Sequence, residues 1–543
     1  MNRFSRLRNQ RGIALSTVMI VGLVLTMMTG TTVTFAVNEM DISRHDQDWN
    51  AALSAAEAGI DDYIFRVNNN NNYWAYGNNP PVAEGNLAFS QWVSVPGATN
   101  EGRYRYTVDA SHIGTDGKVD LISSGRVGNA TRTIRAAVRP RAFLDFLYFT
   151  NFETLDPYVY DILNFGSGKT QTWALNNCQG FKWAPSEPLR SSSCENIQFA
   201  GGDVINGPLH TNDAMYVGGN ATFNGEVTTN WEGRTCSGTT RRWWWGSGLC
   251  AGSRPNPTFK RPSDPAFIED IQMPVTVTEL RVKAAEAGCV YKGPTRIVLK
   301  TAGTMDVTSP LTPAGSVSPF CSPGTNKPIP NNGVIYVDNA PLTSTSCASS
   351  GRNRLGYPIA NDQTDYACET GDVFLQGELN GRLTIAAKNR IIITNHTRYR
   401  TGTDSLLGLI AEQFVEIYHP VTSGGNDLAR SNGSSGTPVD GGGFFRNARV
   451  DAAILSLTHS FMVQNFNQGL RSNLDDLIVF GAIAQKFRGA VGMSGSPGRG
   501  YLKDYTYDAR LKYISPPEFL QPVNSPWQVA TWAEIEPQEA PAF

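Results

Sequence analysis

The first 67 residues carry the clearest hydrophobic pattern in the chain. Four arginines precede Gly12, and residues 13–37 then contain no charged side chain. A helix rises about 1.5 Å per residue, so this uncharged run is about 37 Å long and exceeds the ~30 Å hydrocarbon core of a bilayer. We therefore predict a basic leader over residues 1–12 and a transmembrane helix over residues 13–37.

The helical period continues beyond the uncharged run, through residues 38–67. Small or apolar residues recur at steps of three and four, and the charged Asp61, Asp62 and Arg66 lie off that stripe. The stripe consists of Ala52, Ala55, Ala56, Gly59, Ile60, Tyr63 and Val67. We predict one uninterrupted helix over residues 13–67, whose second half is amphipathic and packs on protein.

Within the domain that we assign to residues 75–140, the alternation of polar and apolar residues from residue 87 to residue 139 has period two, which is typical of strands. Residues 103–108, 119–124 and 132–138 form three such runs, separated by short turns. Strands joined by short turns pair in antiparallel fashion. This part of the chain therefore predicts a small antiparallel sheet.

Residues 141–543 show a third pattern, in which short apolar runs alternate with Gly, Asn and Asp corners. Such runs favour a parallel β-helix, in which each rung buries its inward residues against the next; a pair of β-sandwiches is the alternative. The predicted fold is mostly β: the long helix and its small antiparallel sheet are followed by a large parallel β-helix, or solenoid. We expect a disulfide-rich insertion over residues 235–370, with a helix near 274–288, and an extended C-terminal cap over 500–543.

Every cysteine lies between residues 178 and 368, and none forms a C-x-x-C pair, which disfavours a zinc site. An even number of cysteines in an exported segment indicates disulfides. Pairing in sequence order is the simplest of many connectivities. The candidate disulfide cysteines are Cys178, Cys194, Cys236, Cys250, Cys289, Cys321, Cys347 and Cys368.

Charge and composition exclude some function classes. The formal net charge is -2 and only 17% of residues are charged, so the chain lacks the basic footprint of a nucleic-acid-binding protein. The 6 histidines are scattered and show no metal-ligand spacing. We expect no metal, no cofactor and no nucleic-acid partner.

Two short runs resemble a known family. Arg11-Gly12-Ile13-Ala14-Leu15 resembles the leader junction of type IV pilins and pseudopilins, and Ala55-Ala56-Glu57-Ala58-Gly59-Ile60 looks like a run in minor pilins of the pilus-assembly type. The resemblance implies that a prepilin peptidase cuts between Gly12 and Ile13 and that the apolar helix packs with other pilins. Major pilins carry Glu at the fifth position of the mature chain, where this chain has Thr17. Some minor, tip-located pseudopilins also lack that Glu.

Two other interpretations of the N-terminus stay open. A secretory signal peptide would use Thr34-Phe35-Ala36 as its cleavage site, but its apolar core would be shorter than the run seen here. A plain single-span anchor is the other alternative. For an anchored chain, the basic residues place the N-terminus in the cytoplasm and the bulk of the protein outside.

The C-terminal third carries a second resemblance. Residues 372–527 are similar to pilus-associated bacterial surface proteins without an assigned activity, which implies a fold and no chemistry. The likeness lies in Gly481-Ala482-Ile483-Ala484-Gln485-Lys486-Phe487-Arg488-Gly489 and in Tyr501-Leu502-Lys503-Asp504-Tyr505-Thr506-Tyr507-Asp508.

A β-helix would also suit a carbohydrate-active enzyme, which places carboxylates on one exposed face. Asp203, His210 and Asp213 are close in sequence, whereas Asp475 and Asp476 are adjacent and would point to opposite faces of a strand. Asp beside Gly and Asn more commonly forms corners. No catalytic residue is therefore assigned.

A run of three tryptophans, Trp243, Trp244 and Trp245, lies between Cys236 and Cys250. Three consecutive indoles cannot share one strand face, so we predict a loop that exposes at least one of them to a surface glycan or a host receptor. The alternative is a loop that folds back over one end of the solenoid.

The sequence thus predicts a minor type IV pilin-like surface protein. Its helix would anchor it in the cell membrane or in a pilus, and its solenoid would serve adhesion or pilus assembly without catalysis. A membrane-tethered carbohydrate-active enzyme and an envelope scaffold unrelated to pili are the alternatives.

Overall fold

The computed structural model describes residues 13–542 apart from several short stretches. The stretches left out are residues 71, 80–84, 98–100, 112, 114–116, 164, 166–167, 184–187, 237, 247–249, 251, 316–318, 344–346, 350–351, 358–366, 423, 428–444 and 494–497. The chain divides into two compact units. Unit 1 is Met1–Pro140 with Trp527–Phe543, and unit 2 is Arg141–Pro526, so unit 2 is inserted between two parts of unit 1.

The long N-terminal helix is confirmed. It is one element, α1 (Ile13–Asn69), and it extends two residues beyond the predicted end. The predicted stripe is its buried face, since Ala52, Ala56, Tyr63 and Val67 are each 0% exposed. The remaining helices are α2 (Tyr160–Leu163), α3 (Gln171–Asn177), α4 (Thr278–Ala287) and α5 (Arg471–Leu474). Residues Tyr73–Tyr76, Leu87–Phe89, Phe143–Asp145, Pro157–Val159, Pro319–Cys321 and Ala509–Lys512 form 3₁₀ turns.

The small antiparallel sheet of unit 1 is also confirmed, with two strands, β1 and β32, that the sequence did not indicate. Its strands are β1 (Val93–Ser94), β2 (Arg103–Asp109), β3 (Val119–Val127), β4 (Ala130–Pro140) and β32 (Trp527–Ile535), in the order β1-β2-β3-β4-β32. The C-terminal residues that we expected to cap the solenoid therefore pair with β4, Trp527 opposite Pro140 and Ile535 opposite Thr133. The free edge of β4 and the burial of Trp527 in the unit 1 core explain this correction.

Unit 2 is built mostly from strands. The strands of its first half are β5 (Tyr148–Leu155), β6 (Val204–Asn206), β7 (Leu209–Thr211), β8 (Met215–Tyr216), β9 (Thr222–Thr229), β10 (Arg234–Cys236), β11 (Thr239–Arg241), β12 (Trp243–Trp244), β13 (Thr258–Phe267), β14 (Cys289–Lys292), β15 (Thr295–Lys300), β16 (Thr304–Thr308), β17 (Gly324–Pro328) and β18 (Val334–Asp338). The strands of its second half are β19 (Cys347–Ser349), β20 (Arg352–Asn353), β21 (Val373–Leu379), β22 (Arg382–Ala387), β23 (Ile391–Tyr399), β24 (Leu406–Ala411), β25 (Val415–Ile417), β26 (Ala448–Ser456), β27 (Phe461–Val463), β28 (Asp476–Arg488), β29 (Gly492–Met493), β30 (Arg499–Gly500) and β31 (Leu502–Tyr507).

Most neighbouring strands of unit 2 are parallel, and their pairing forms a closed network. One ladder runs β14-β18-β22-β24-β26-β28-β5-β7-β9-β13. A second runs β15-β21-β23-β26-β28-β31-β6-β9-β13. A third joins β21, β23, β25 and β27.

The long strand β28 belongs to two ladders, because its first residues pair with β31 and its later residues pair with β5. Gly481 lies between these two parts; its φ is 156°, and an added Cβ would lie 1.9 Å from the carbonyl oxygen of Ala452. No side chain fits there, so this position requires glycine. The residues before Gly481 pair with β31, and Ile483 and those that follow it pair with β5.

The predicted insertion over residues 235–370 needs correction. Strands β14, β15 and β18 belong to the parallel ladders, and their inward residues, among them Tyr291, Ile297 and Ile335, are 0% exposed in the main core. The three strands β15-β16-β17 and the short pairs β10-β11 and β19-β20 add antiparallel structure in this range. Because this range is rich in cysteine and proline, the sequence suggested loops where the structure has core strands.

Candidate functional site

The first half of α1 is an exposed apolar surface. Every side chain from residue 14 to residue 37 is exposed, and Leu15 and Phe35 are 72% and 70% exposed. The helix is long and apolar enough to cross a membrane. Lipid or another apolar helix is the environment that such a surface suits.

Hydroxyl groups on this segment are satisfied within the helix. The Oγ1 atoms of Thr26, Thr29, Thr32 and Thr34 each donate to the carbonyl oxygen four residues earlier, at 2.8–3.0 Å. Polar groups in hydrocarbon must find partners within the protein, and back-bonding to the preceding turn supplies them. The threonines are therefore compatible with a lipid-facing helix.

The second half of α1 packs on the unit 1 sheet at backbone distance. An added Cβ on Gly125 of β3 would lie 2.1 Å from the carbonyl oxygen of Ala52 and 2.2 Å from the backbone nitrogen of Ala56. On the helix side, an added Cβ on Gly59 would lie 2.3 Å from Oγ of Ser123, which donates to the carbonyl oxygen of Ala56 at 2.7 Å. The small-residue stripe thus permits a close helix-to-sheet contact.

Charged residues beside the stripe join α1 to the sheet. Asp62 accepts hydrogen bonds from the Tyr106 hydroxyl at 2.6 Å and from Nε of Arg66 at 3.0 Å. Burial, followed by the nearby Asp62 carboxylate, raises the pKa of Tyr106 above its ordinary value. Tyr106 therefore remains a neutral hydrogen-bond donor.

The predicted processing site is only partly within the structure. Gly12 and the leader lie outside the described residues, and Ile13 is the first residue of α1. Cleavage between Gly12 and Ile13 remains a prediction.

The expectation of an exposed indole in the three-tryptophan run is wrong. Trp243, Trp244 and Trp245 are 2%, 2% and 5% exposed. The indole of Trp243 donates to Asp264 at 2.9 Å, and that of Trp244 stacks on Tyr216 with ring centroids 4.1 Å apart. Consecutive residues of β12 point to opposite faces, and both faces are covered.

Three disulfides join cysteines that are consecutive in sequence: Cys178–Cys194, Cys236–Cys250 and Cys289–Cys321. Cys368 is also disulfide-bonded, and the side chain of Cys347 lies outside the described residues. Each of the three bonds closes a short loop, which limits the entropy of the unfolded chain.

The sequence-selected carboxylates have separate partners in the structure. Asp213 is buried in an ion pair with Arg190, whereas one oxygen of Asp203 accepts the backbone N–H of Ala200 at 3.0 Å. Asp475 pairs with exposed Arg446 at 2.7 Å.

His210 is neutral and structural. It is 0% exposed, and burial lowers its pKa to about 3. Its Nε2 donates to Oδ1 of Asn212 at 2.8 Å, and its ring stacks on Phe149. A neutral imidazole with both nitrogens engaged offers no free acid or base.

Sequence reasoning missed three buried arginine–carboxylate pairs among the described residues of unit 2. Arg190 pairs with Asp213, Arg390 with Glu416 at 2.7 Å, and Arg488 with Glu153 at 3.0 Å; every side chain is at most 3% exposed. An Arg next to an apolar strand run, as in residues 390–393, is the one available signal. The partners are distant in sequence, so the pairing itself leaves no local pattern.

An oriented acid–base pair lies where β5 and β26 end. Oδ1 of Asp156 accepts from Nδ1 of His459 at 2.9 Å, and Oδ2 accepts from the Ser460 hydroxyl at 2.5 Å. The imidazole stacks on Phe414 at 4.2 Å and is 17% exposed. This geometry leaves Nε2 as the ring nitrogen that does not contact Asp156.

No metal centre is evident in the part of the chain that the structure describes. Its His, Cys, Asp and Glu side chains form no group of three that could hold a metal ion.

Comparisons with known proteins add little. No family model and no curated protein matches this chain. Among solved structures, the competence-associated pilin ComZ from Thermus thermophilus is similar at a TM-score of 0.26 and 15% identity, over 90% of this chain and 97% of that chain. A likeness at this score carries no inference about fold or function.

Proposed function

We propose that this chain is a minor type IV pilin-like surface protein that displays unit 2 outside the cell for adhesion or pilus assembly. One observation carries the proposal: α1 is a single helix whose first half is uncharged and exposed and whose second half packs on a sheet. An ordinary soluble domain would bury that first half. In a helix that is first inserted in lipid and then packed with similar helices, the exposed apolar half would contact apolar surroundings at both stages.

The leader supports the same proposal. Four arginines before Gly12 favour a cytoplasmic N-terminus, and unit 2 would then lie on the outer side of the membrane. The resemblance of residues 11–15 to a prepilin junction implies cleavage after Gly12. Thr17, in place of the usual Glu, favours a minor component over the bulk subunit.

We infer further that unit 2 is a parallel β-solenoid. Parallel ladders that share long strands suit rungs that stack in sequence, and the inward apolar side chains form one main core. A rigid body of this kind suits display at a surface.

The experiment is expression of the full chain in a host with a prepilin peptidase, followed by membrane fractionation and protease treatment of intact cells. We expect the protein in the membrane fraction, digestible from outside, and shortened by the leader. The Gly12→Leu variant should retain the leader, whereas Gly22→Leu, a matched change within α1, should be processed normally. Uncleaved wild-type protein, or cleavage of both variants alike, would contradict the proposal.

A membrane-tethered carbohydrate-active enzyme is the second candidate, and the Asp156–His459 pair is the observation that favours it. An imidazole oriented by a carboxylate is a general base for glycan chemistry. Purified full-length protein should then release oligosaccharide from a polysaccharide panel, and His459→Gln should abolish the release. Intact polysaccharides after incubation with the wild-type protein would reject this candidate.

A further inference from the structure

A small aromatic cluster lies outside the main core of unit 2. Trp243 and Trp245 belong to the main core, whereas Trp244 packs with Trp231 in a separate cluster. Consecutive residues of β12 point to opposite faces, so Trp244 lies on the other side of the strand from Trp243. The indole of Trp183 packs against this second cluster and remains partly exposed to solvent.

The rings of the cluster support one another. The indole of Trp183 stacks on that of Trp231 with ring centroids 5.0 Å apart, and it meets Trp244 edge-on at 5.2 Å. Tyr216 is the partner of Trp244 in the neighbouring strand β8, and its ring stacks on Trp244 at 4.1 Å. These four side chains form the aromatic patch, in which a partly exposed indole lies on packed rings.

A lysine amine lies against the aromatic patch. Nζ of Lys182 is 5.1 Å from the ring centroid of Trp244 and 5.7 Å from that of Trp183, and both distances allow cation–π attraction. The backbone nitrogen of Lys182 donates to Oδ1 of Asp213 at 2.7 Å. Asp213 is itself buried in its ion pair with Arg190, so the backbone that carries Lys182 and Trp183 is fixed to the core.

The polar groups of this surface have no protein partner. Among the described residues, neither the amine of Lys182, nor the indole N–H of Trp183, nor the hydroxyl of Tyr216 has a hydrogen-bond or ion-pair partner. All three side chains are partly exposed. Burial, followed by the Arg190 charge, lowers the pKa of Lys182, because the protein displaces part of the water around the amine. An anion bound there would be attracted more strongly than at a fully hydrated lysine.

We propose that the aromatic patch and Lys182 bind an acidic carbohydrate, with the apolar face of a sugar ring on Trp183 and the sugar carboxylate paired with the Lys182 ammonium. The inference rests on the proposed adhesive role of unit 2 and names the class of its ligand. An indole offers a large, rigid apolar surface with a polar edge, which suits a sugar ring and its hydroxyl groups. The ammonium favours an acidic sugar over a neutral one, because charge-assisted hydrogen bonds are stronger than neutral ones.

The test measures binding of matched acidic and neutral sugars to the purified full chain, in a detergent without a sugar headgroup. One pair of probes is trigalacturonate and its methyl ester, and the other is sialyllactose and lactose. Tryptophan fluorescence and ligand-observed NMR report the binding. We expect at least one acidic probe to bind with a Kd of about 1 mM or tighter, and at least about tenfold tighter than its neutral counterpart. Added salt should weaken the acidic probe more than the neutral one.

Three variants assign the binding to this surface. Trp183→Ala should weaken binding of both members of a pair by at least about tenfold, whereas Lys182→Gln should remove only the preference for the acidic member. Lys182→Gln keeps the backbone donor to Asp213, so its circular dichroism spectrum should match that of the wild type. Trp532→Ala is the control, because it removes an indole of unit 1 that is 55% exposed, and it should bind as the wild type does.

Several results would overturn the proposal. They are no binding of either acidic probe, equal affinity for the acidic and neutral members of both pairs, an acidic preference that survives Lys182→Gln, and tighter binding of a tetra-aspartate peptide than of either acidic sugar. Each of these results concerns purified protein and leaves cleavage after Gly12 and membrane insertion unaffected. Failure of the carbohydrate site is therefore distinct from failure of the pilin-like assignment.

Discussion

The contact between α1 and β3 leads to a sharp prediction for Gly125→Ala. The new Cβ would lie 2.1 Å from the carbonyl oxygen of Ala52 and 2.2 Å from the nitrogen of Ala56. Both neighbours are backbone atoms of a helix and cannot rotate away. The helix and the strand must therefore move apart, which opens the packed core around Tyr63.

The expected destabilisation is large for a single methyl group. Overpacking a core typically costs about 1–3 kcal/mol, and rigid backbone on both sides places this substitution near the upper limit. The control is Gly30→Ala, because an added Cβ on Gly30 meets no atom within 4 Å. That change should leave stability unaltered or raise it slightly, since alanine favours helices.

Hydrogen exchange of the detergent-solubilised full chain measures the effect locally. Amides of residues 52–67 should lose protection by about 2–3 kcal/mol in Gly125→Ala, while unit 2 amides keep theirs. Equal protection in the two glycine variants would refute the close contact between helix and sheet.

Three further changes test other parts of the structure. Burial raises the pKa of Asp372 from 3.8 to about 6, so the native state binds more protons than the unfolded state and stability falls as pH rises from about 4 to about 6. Asp372→Asn should remove that slope and stabilise the protein above pH 6 by up to about 3 kcal/mol, as measured by denaturant unfolding across pH. Trp244→Ala should cost about 3–5 kcal/mol in the same assay, because the indole is 2% exposed; an unchanged midpoint would mean that the indole is not buried. Val24→Arg should weaken membrane insertion by about 2.5–3.5 kcal/mol and shift the protein to the soluble fraction, whereas Val24→Leu should not.

Periodicity predicted the elements whose partners are local. The stripe from Ala52 to Val67 indicated both the helix and its buried face, because each residue's environment repeats every turn. The strands β2, β3 and β4 followed from alternation and short turns. These patterns are written within a few residues, so they need no knowledge of the rest of the chain.

Long-range pairing left no such pattern. β32 joins β4 although about 390 residues separate them, and its exposed residues 531–534 do not alternate. The segment around β14 and β18 was misread because cysteines and prolines nearby suggested loops. The prediction that one of the three tryptophans is exposed failed for a similar reason. The residues that bury both faces of β12, such as Tyr216 and Asp264, are distant in sequence.

The candidate chemistry shows the same limit. Asp213 looked available in the sequence, but Arg190 neutralises it from 23 residues away. Asp156 and His459 meet across 303 residues, and nothing near either residue indicated the other. Such groups come together only in the folded chain. The sequence therefore indicated which residue types could react, and the structure showed which partner each of them has.

The most direct test of the central claim is the intact mass and N-terminal sequence of the mature protein from membranes of a host with prepilin peptidase. The account predicts a chain that begins at Ile13, so that the uncharged helix is retained. A mature chain that begins at Val37 would show that residues 13–36 are a discarded signal sequence, and a pilin-like role for α1 would be contradicted.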